Sequence, residues 1–278
     1  MYTEKSVELK SDFYSRYGSA GGTLYFERVG LSCVIMRGTT RTLAFAAECG
    51  VRAYGRKCGD VLRVIDSDSN VCDVHFKGSG NGAQIIYKMD IPGMKNSDRA
   101  AEYTVNKLMS RMGIKSDNFR GGDAWLCDMY GSGGWCAVMD HGMAQSVPLP
   151  LSDYNVMIVR VRKNGGRRAD PKSADCFLDG EDRRIEAAVE GLKSCKTNVL
   201  IDMINESERA AELLLPLGSQ ARAAVEAARC ADGVEAARIC GMGVMCIVKK
   251  EMTDIAAHII REDFEKRAGC CVGIAVIK

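Results

Sequence analysis

Four stretches of this sequence combine residue types and spacings that could do chemistry. Asp128-Met129-Tyr130-Gly131-Ser132-Gly133-Gly134 is a glycine-rich turn at the end of an apolar run. Glycines let backbone N–H groups approach a phosphate, and a helix opening next to them adds a favourable dipole. Trp135-Cys136-Ala137-Val138-Met139-Asp140-His141 ends in an aspartate that could take the proton of a substrate hydroxyl. Gly233-Val234-Glu235-Ala236-Ala237-Arg238-Ile239-Cys240-Gly241-Met242-Gly243 joins two apolar runs through a glycine turn, and residues 160–168 form a basic loop. Each has a plainer reading: a turn, a surface acid, a tight hairpin and a solvated charge run.

The elements around them read as mixed α and β. Residues 23–29, 31–36, 42–54, 61–65, 71–76 and 84–89 are short runs rich in β-branched and aromatic residues, as in an antiparallel meander. Ala101, Val105, Leu108, Met109 and Met112 then recur at helical steps, with Asn96 or Ser97 as cap and Gly113 at the exit. Residues 123–129 and 154–161 read as strands, and 181–194, 198–214 and 219–231 as helices. Strands at 236–240 and 244–248, a helix at 253–267 and a strand at 272–277 complete a split βαβ pattern of the ferredoxin-like kind. The chain is therefore α+β in two parts, a strand-rich part at 1–147 and an α+β part at 148–278.

Composition narrows the partners. With 278 residues, 46% hydrophobic and 27% charged, the chain can bury a sizeable core. A formal net charge of +2 gives no electrostatic case for nucleic acid or an anionic membrane. No window is apolar enough to span a bilayer, and the polar start, residues 1–10, does not read as a signal peptide. The thirteen cysteines lack paired C-x-x-C knuckles, so they read as reduced thiols packed as small hydrophobes in a cytoplasmic protein.

The order of these segments resembles the GHMP kinases, and galactokinases most closely. The resemblance runs through residues 149–159, Arg167-Arg168-Ala169-Asp170, Glu181-Asp182-Arg183-Arg184-Ile185-Glu186-Ala187-Ala188, Met203-Ile204-Asn205-Glu206-Ser207 and the 233–250 stretch. Cys136-Ala137-Val138-Met139-Asp140-His141 is similar to the family's C-G-I-M-D-Q element, which implies Asp140 as catalytic base. By the same resemblance ATP lies over Gly131, Ser132, Gly133 and Gly134, with Ser132 on Mg2+. Gly241 and Gly243 come close to a sugar substrate such as galactose. Ser19-Ala20-Gly21-Gly22 opens like the first motif, leaving Glu27 for substrate and Arg28 for catalysis.

The sequence also departs from that pattern. Trp135-Cys136 stand where the phosphate loop has serines, and the helices that separate that loop from the aspartate in the family are missing, so the two elements run together. Met245-Cys246 replace the second glycine pair of the third motif. Two functions are consistent with this: an ATP-dependent sugar kinase, or a non-catalytic protein of the same fold that binds a ligand or partner. The sequence is silent on oligomeric state.

Overall fold

Adjacent residues of a strand face opposite ways, and in this protein that rule places a helix on each side of one sheet. The structure, a computed structural model, describes residues 2–19, 21–66, 82–91, 95–115, 122–161, 170–215, 217–241 and 243–277. The chain divides into two compact units, Met1–Leu31 with Cys49–Trp125, and Ser32–Glu48 with Leu126–Lys278. The expected boundary at 147/148 falls inside the second unit. Two long strands, β1 (Tyr25–Arg37) and β2 (Arg41–Lys57), supply residues to both.

In the first unit β2 pairs antiparallel with β4 (Ala83–Met89), from Val51 opposite Met89 to Lys57 opposite Ala83. The neighbour beyond β4 is β3 (Leu62–Asp66), and that pairing is parallel. This corrects the expected antiparallel meander; a parallel neighbour needs a crossover, which alternation in sequence does not reveal. The strand expected at 71–76 lies outside the described residues. Ile85 joins Ala53, Leu62 and Ala83 in a core with Val105, Leu108 and Met109 of α2 (Lys95–Arg111) and with Met112 just beyond it. Its neighbour Ile86 points to the other face, where Leu9 and Phe13 of α1 (Tyr2–Tyr17) cover it.

The C-terminal end of α1 is finished by a glycine and an arginine. Gly18 takes φ 71° and its N–H reaches the Tyr14 carbonyl at 2.8 Å, a left-handed helix cap. The buried Arg56 of β2 donates to the Tyr17 carbonyl at 2.5 Å and the Gly18 carbonyl at 3.2 Å, satisfying acceptors that the helix leaves open.

The second unit carries a hairpin pair, β5 (Trp135–Asp140) and β6 (Met143–Pro148), with β5 laid antiparallel against Arg41–Ala44 of β2. Before β5 comes α3 (Asp123–Tyr130), which spans the boundary of the units. The 123–129 segment was expected to be a strand and is a helix. A short apolar run carries no period long enough to separate the two.

The rest of the second unit is a four-stranded antiparallel sheet in the order β10-β7-β9-β8. Its strands are β7 (Tyr154–Arg160), β8 (Val234–Cys240), β9 (Gly243–Lys249) and β10 (Gly273–Val276). Three helices follow β7, namely α4 (Pro171–Lys193), α5 (Thr197–Leu214) and α6 (Ser219–Cys230), and α7 (Thr253–Ala268) precedes β10. In chain order the strands thus sit fourth, first, third, second, the split βαβ arrangement expected from the sequence. Ala224, Ala228, Ala256, Ile260 and Phe264 of α6 and α7 pack on Met157, Val159, Val244 and Cys246 of the sheet.

Helix α4 begins ten residues before the expected 181. Asp170 caps it by accepting the Ser173 N–H at 3.0 Å, and Pro171 occupies the first turn, where no N–H is needed. Gly180 is covered by the Arg184 side chain, whose guanidinium also lies over the Phe177 ring. Of the described cysteines, Cys33, Cys127, Cys136 and Cys246 are buried as expected, whereas six are exposed. No helix among the described residues is long and apolar enough to cross a membrane.

Candidate functional site

The Asp140 hairpin carries a polar cluster in the second unit. Asp140 closes β5, and His141 (φ 47°) with Gly142 (φ 81°) makes the two-residue turn to Met143. Two successive positive φ values are the turn that matches strand twist. Arg41 is the register partner of Asp140 on β2; its Nε donates to Asp140 Oδ1 at 2.9 Å, and its Nη1 to Glu186 at 3.0 Å. His141 Nδ1 lies 2.7 Å from the same Asp140 oxygen. The His141 hydrogen bond, followed by that of Arg41, holds the Asp140 carboxyl below its ordinary value. A base near neutral pH needs the opposite shift.

Asp182 of α4 organises the turn between β1 and β2 beside this pair. Its carboxylate accepts the N–H of Thr40 at 3.0 Å and of Arg41 at 2.9 Å, and the Thr40 hydroxyl at 2.9 Å. A side chain on Gly38 would run into Asp182, so the glycine there is a packing requirement.

The Gly131–Gly134 turn has a different context from the one expected. It leaves the C-terminal end of α3 and enters β5, so a helix carbonyl end, with its partial negative charge, faces the turn. The Gly131 N–H is bound to the Cys127 carbonyl at 2.9 Å, and its carbonyl accepts the Ala46 N–H at 2.7 Å. A Cβ on Gly131 would sit 3.1 Å from Ala137 N and Phe45 Cα. Gly133 and Gly134 adopt φ 65° and 90°. Gly133 and Gly134 serve chain reversal and Gly131 close packing. Among the described residues no group of three or more histidine, cysteine, aspartate or glutamate side chains could hold a metal ion.

In the first unit, Glu27 is buried and engaged: Lys107 Nζ lies 3.3 Å from Oε1 and Arg111 Nη1 3.2 Å from Oε2. Arg28 follows it on β1 and donates its backbone N–H to Glu27 Oε1 at 3.1 Å. Glu27 therefore ties β1 to α2. Gly241 is exposed in the β8–β9 turn. Gly243 has φ 140°, and a Cβ there would strike the Val159 carbonyl of β7, which makes it a strand-pairing glycine.

Two features of the first unit were not singled out from the sequence. The strand-to-helix passage that a phosphate loop requires occurs between β4 and α2, where the first-turn N–H groups of a 17-residue helix lack intrahelical acceptors. Asp98 lies in that first turn. The second is Asp123, half-buried, which opens α3. The signal for both was the start of a helix, and for Asp123 it was hidden by the strand assignment.

No protein-family model matches the sequence, and no curated protein matches it. Solved structures do. Lactococcus lactis galactokinase complexed with galactose superposes with a TM-score of 0.75 over 98% of this chain and 97% of its own, at 11% identity. Methanococcus jannaschii mevalonate kinase gives 0.67 over 93% and 98%, at 12% identity. MDDEF in complex with MVAPP, AMPPCP and magnesium gives 0.58 over 91% and 97%, at 12% identity. The fold of this chain is that of the GHMP kinases.

Proposed function

We propose that the chain is an ATP-dependent phosphotransferase acting on a hydroxyl of a small molecule, with a sugar such as galactose as the first acceptor to test. The observation that carries this reading is the agreement in backbone with a galactose-bound galactokinase over 98% of the chain. Binding of AMPPCP and magnesium by another structure of this fold supports ATP and Mg2+ as cofactors.

In this reading the nucleotide phosphates meet the N-terminal turn of α2 rather than Gly131–Gly134. The proton acceptor in this reading is Asp123 at the start of α3, in preference to Asp140, whose carboxyl is held below its ordinary value by His141 and Arg41. A bound magnesium nucleotide supplies the phosphoryl group and the neutralising charge. The chain contributes positioning, a helix dipole and a carboxylate to accept the acceptor proton.

A second reading, a non-catalytic protein of this fold, is favoured by one feature: Asp98 places a negative charge in the very turn that would receive the phosphates. A coupled ADP-release assay with magnesium-ATP and a panel of sugars separates the two. The kinase reading expects sugar-dependent release that Asp123→Asn lowers by about 100-fold or more and Asp140→Asn leaves within a few-fold. Loss in Asp140→Asn alone restores Asp140 as base. No release from folded wild-type protein with any sugar overturns the sugar acceptor, and no release with mevalonate or other small hydroxyl acceptors as well, together with no magnesium-ATP binding, overturns the kinase reading.

A further inference from the structure

Two buried carboxylates lie where α4, α5 and β8 meet in the second unit, and arginines bind one of them, Glu181. Glu181 of α4 is fully buried and satisfied. It accepts the Ser207 hydroxyl at 2.8 Å, Arg184 Nε at 3.0 Å and Arg238 Nη1 at 2.6 Å. The same Arg238 nitrogen also donates to the Ile35 carbonyl at 2.7 Å. Glu208 of α5, one residue beyond Ser207, is 1% exposed. Its Oε2 accepts the Ile239 N–H at 2.9 Å, and its Oε1 has no hydrogen-bond partner among the described residues.

The charged groups that face Glu208 do not bind it. Among the described residues they are Arg238 on β8, Arg229 on α6 and Glu212 on α5 itself; on α4, Glu181 is taken by Ser207 and Arg184. Arg229 is held by Glu212 at 2.6 Å, and Arg238 by Glu181. An anionic carboxylate with one bare oxygen in a dry interior is far more costly than the neutral acid.

The backbone that Glu208 binds is the open side of a sheet. β8 is the last strand in the order, so its outward groups have no strand partner. Helix α5 closes that edge with side chains: Asn205 Nδ2 donates to the Glu235 carbonyl at 2.9 Å, and Glu208 accepts from Ile239.

We infer that Glu208 is a pH-sensitive catch, neutral when it holds α5 on the edge of β8 and loosening that contact when it ionises. Burial pushes its carboxyl above the ordinary glutamate value of 4.5, against the opposing pull of the Ile239 N–H and Arg238. The folded chain then binds a proton that the unfolded chain has released. Stability therefore falls as pH rises from the ordinary value through the raised one.

The test is thermal unfolding of the full chain, with amide exchange at Ile239, for wild type and Glu208→Gln at about pH 4 and about pH 8. Glutamine keeps the acceptor for Ile239 and cannot ionise. The expected result is a higher melting temperature and slower Ile239 exchange, relative to its intrinsic rate, for Glu208→Gln at the higher pH, with the gap closing at the lower. A gap that does not change with pH overturns the inference. Should the variant misfold, a carbon-13 titration of the wild-type Glu208 carboxyl decides: a midpoint above the ordinary value supports the catch, and one at or below it overturns it.

Discussion

Arg41 and Asp140 stand opposite one another in the register of β2 and β5, with Arg41 Nε 2.9 Å from Asp140 Oδ1. The pair joins two strands whose turns both need fixing, since Asp182 holds the turn before Arg41 and His141 forms the turn after Asp140. Its charge is thereby drawn into holding the hairpin.

Asp140→Asn should consequently read as a small stability change with an acid signature. The Asp140 side chain is 34% exposed, so the pair contributes at most about 1 kcal/mol at neutral pH. Its folded carboxyl lies below the ordinary 3.8, so that contribution is present above the ordinary value and is lost as pH falls through the folded one. Chemical denaturation at neutral pH and at about pH 2 should show wild type ahead only in the first condition. Equal stability of both proteins at neutral pH would show that the pair contributes nothing.

Gly131→Ala tests whether the glycine turn is packing or a ligand cradle. The added methyl meets Ala137 and the Phe45 backbone at 3.1 Å, and overpacking of this kind costs about 1–3 kcal/mol. Unfolding should show that loss, while the affinity for magnesium-ATP, measured by calorimetry on the folded variant, stays at the wild-type value. Stability unchanged and affinity lost would return the turn to the phosphate site.

The buried pair of Arg52 and Asp90 makes a larger prediction in the first unit. Arg52 Nη2 reaches Asp90 Oδ1 at 2.5 Å, and the other Asp90 oxygen accepts the Gly50 N–H at 2.8 Å. Both side chains are nearly buried. Arg52→Met removes the buried cation that faces the Asp90 carboxylate and should cost about 3–5 kcal/mol, whereas Asp90→Asn combined with Arg52→Met recovers part of it. Double-mutant unfolding measures that coupling, and additive losses would deny it.

What the sequence displayed was periodicity, and what it concealed was context. The second-unit sheet and its covering helices were legible because runs such as Val156-Met157-Ile158-Val159 and the Ile260, Phe264 stripe repeat at strand and helix steps. Helix α1 was missed: among its described side chains the buried apolar ones are Leu9 and Phe13, on a polar segment, and they pack against Ile86. The strand β1 was divided at Gly30, yet Gly30 lies inside the strand, where its Cα approaches Gly50 of β2. The candidate site was the least legible part. Motif likeness placed the base at Asp140 and phosphate at Gly131–Gly134, but the fate of a carboxylate or a glycine depends on partners such as Arg41, Lys107 and Phe45, which are distant in sequence.

Gly243→Ala carries that lesson to the β8–β9 turn. Gly243 pairs with Cys240 at the start of β9, at φ 140°, where a Cβ would run into the Val159 carbonyl. An alanine must therefore both leave a backbone region that L residues avoid and push β7 away from β9, the neighbour it pairs with from Tyr154 to Val159. We expect a loss of about 1–3 kcal/mol from the backbone conformation alone, with faster amide exchange along Val156–Val159. Substitution at the exposed Gly241 should leave that exchange unchanged. If instead both variants exchange as wild type and lose only substrate affinity, the glycines act on a ligand, and the strand-pairing explanation fails.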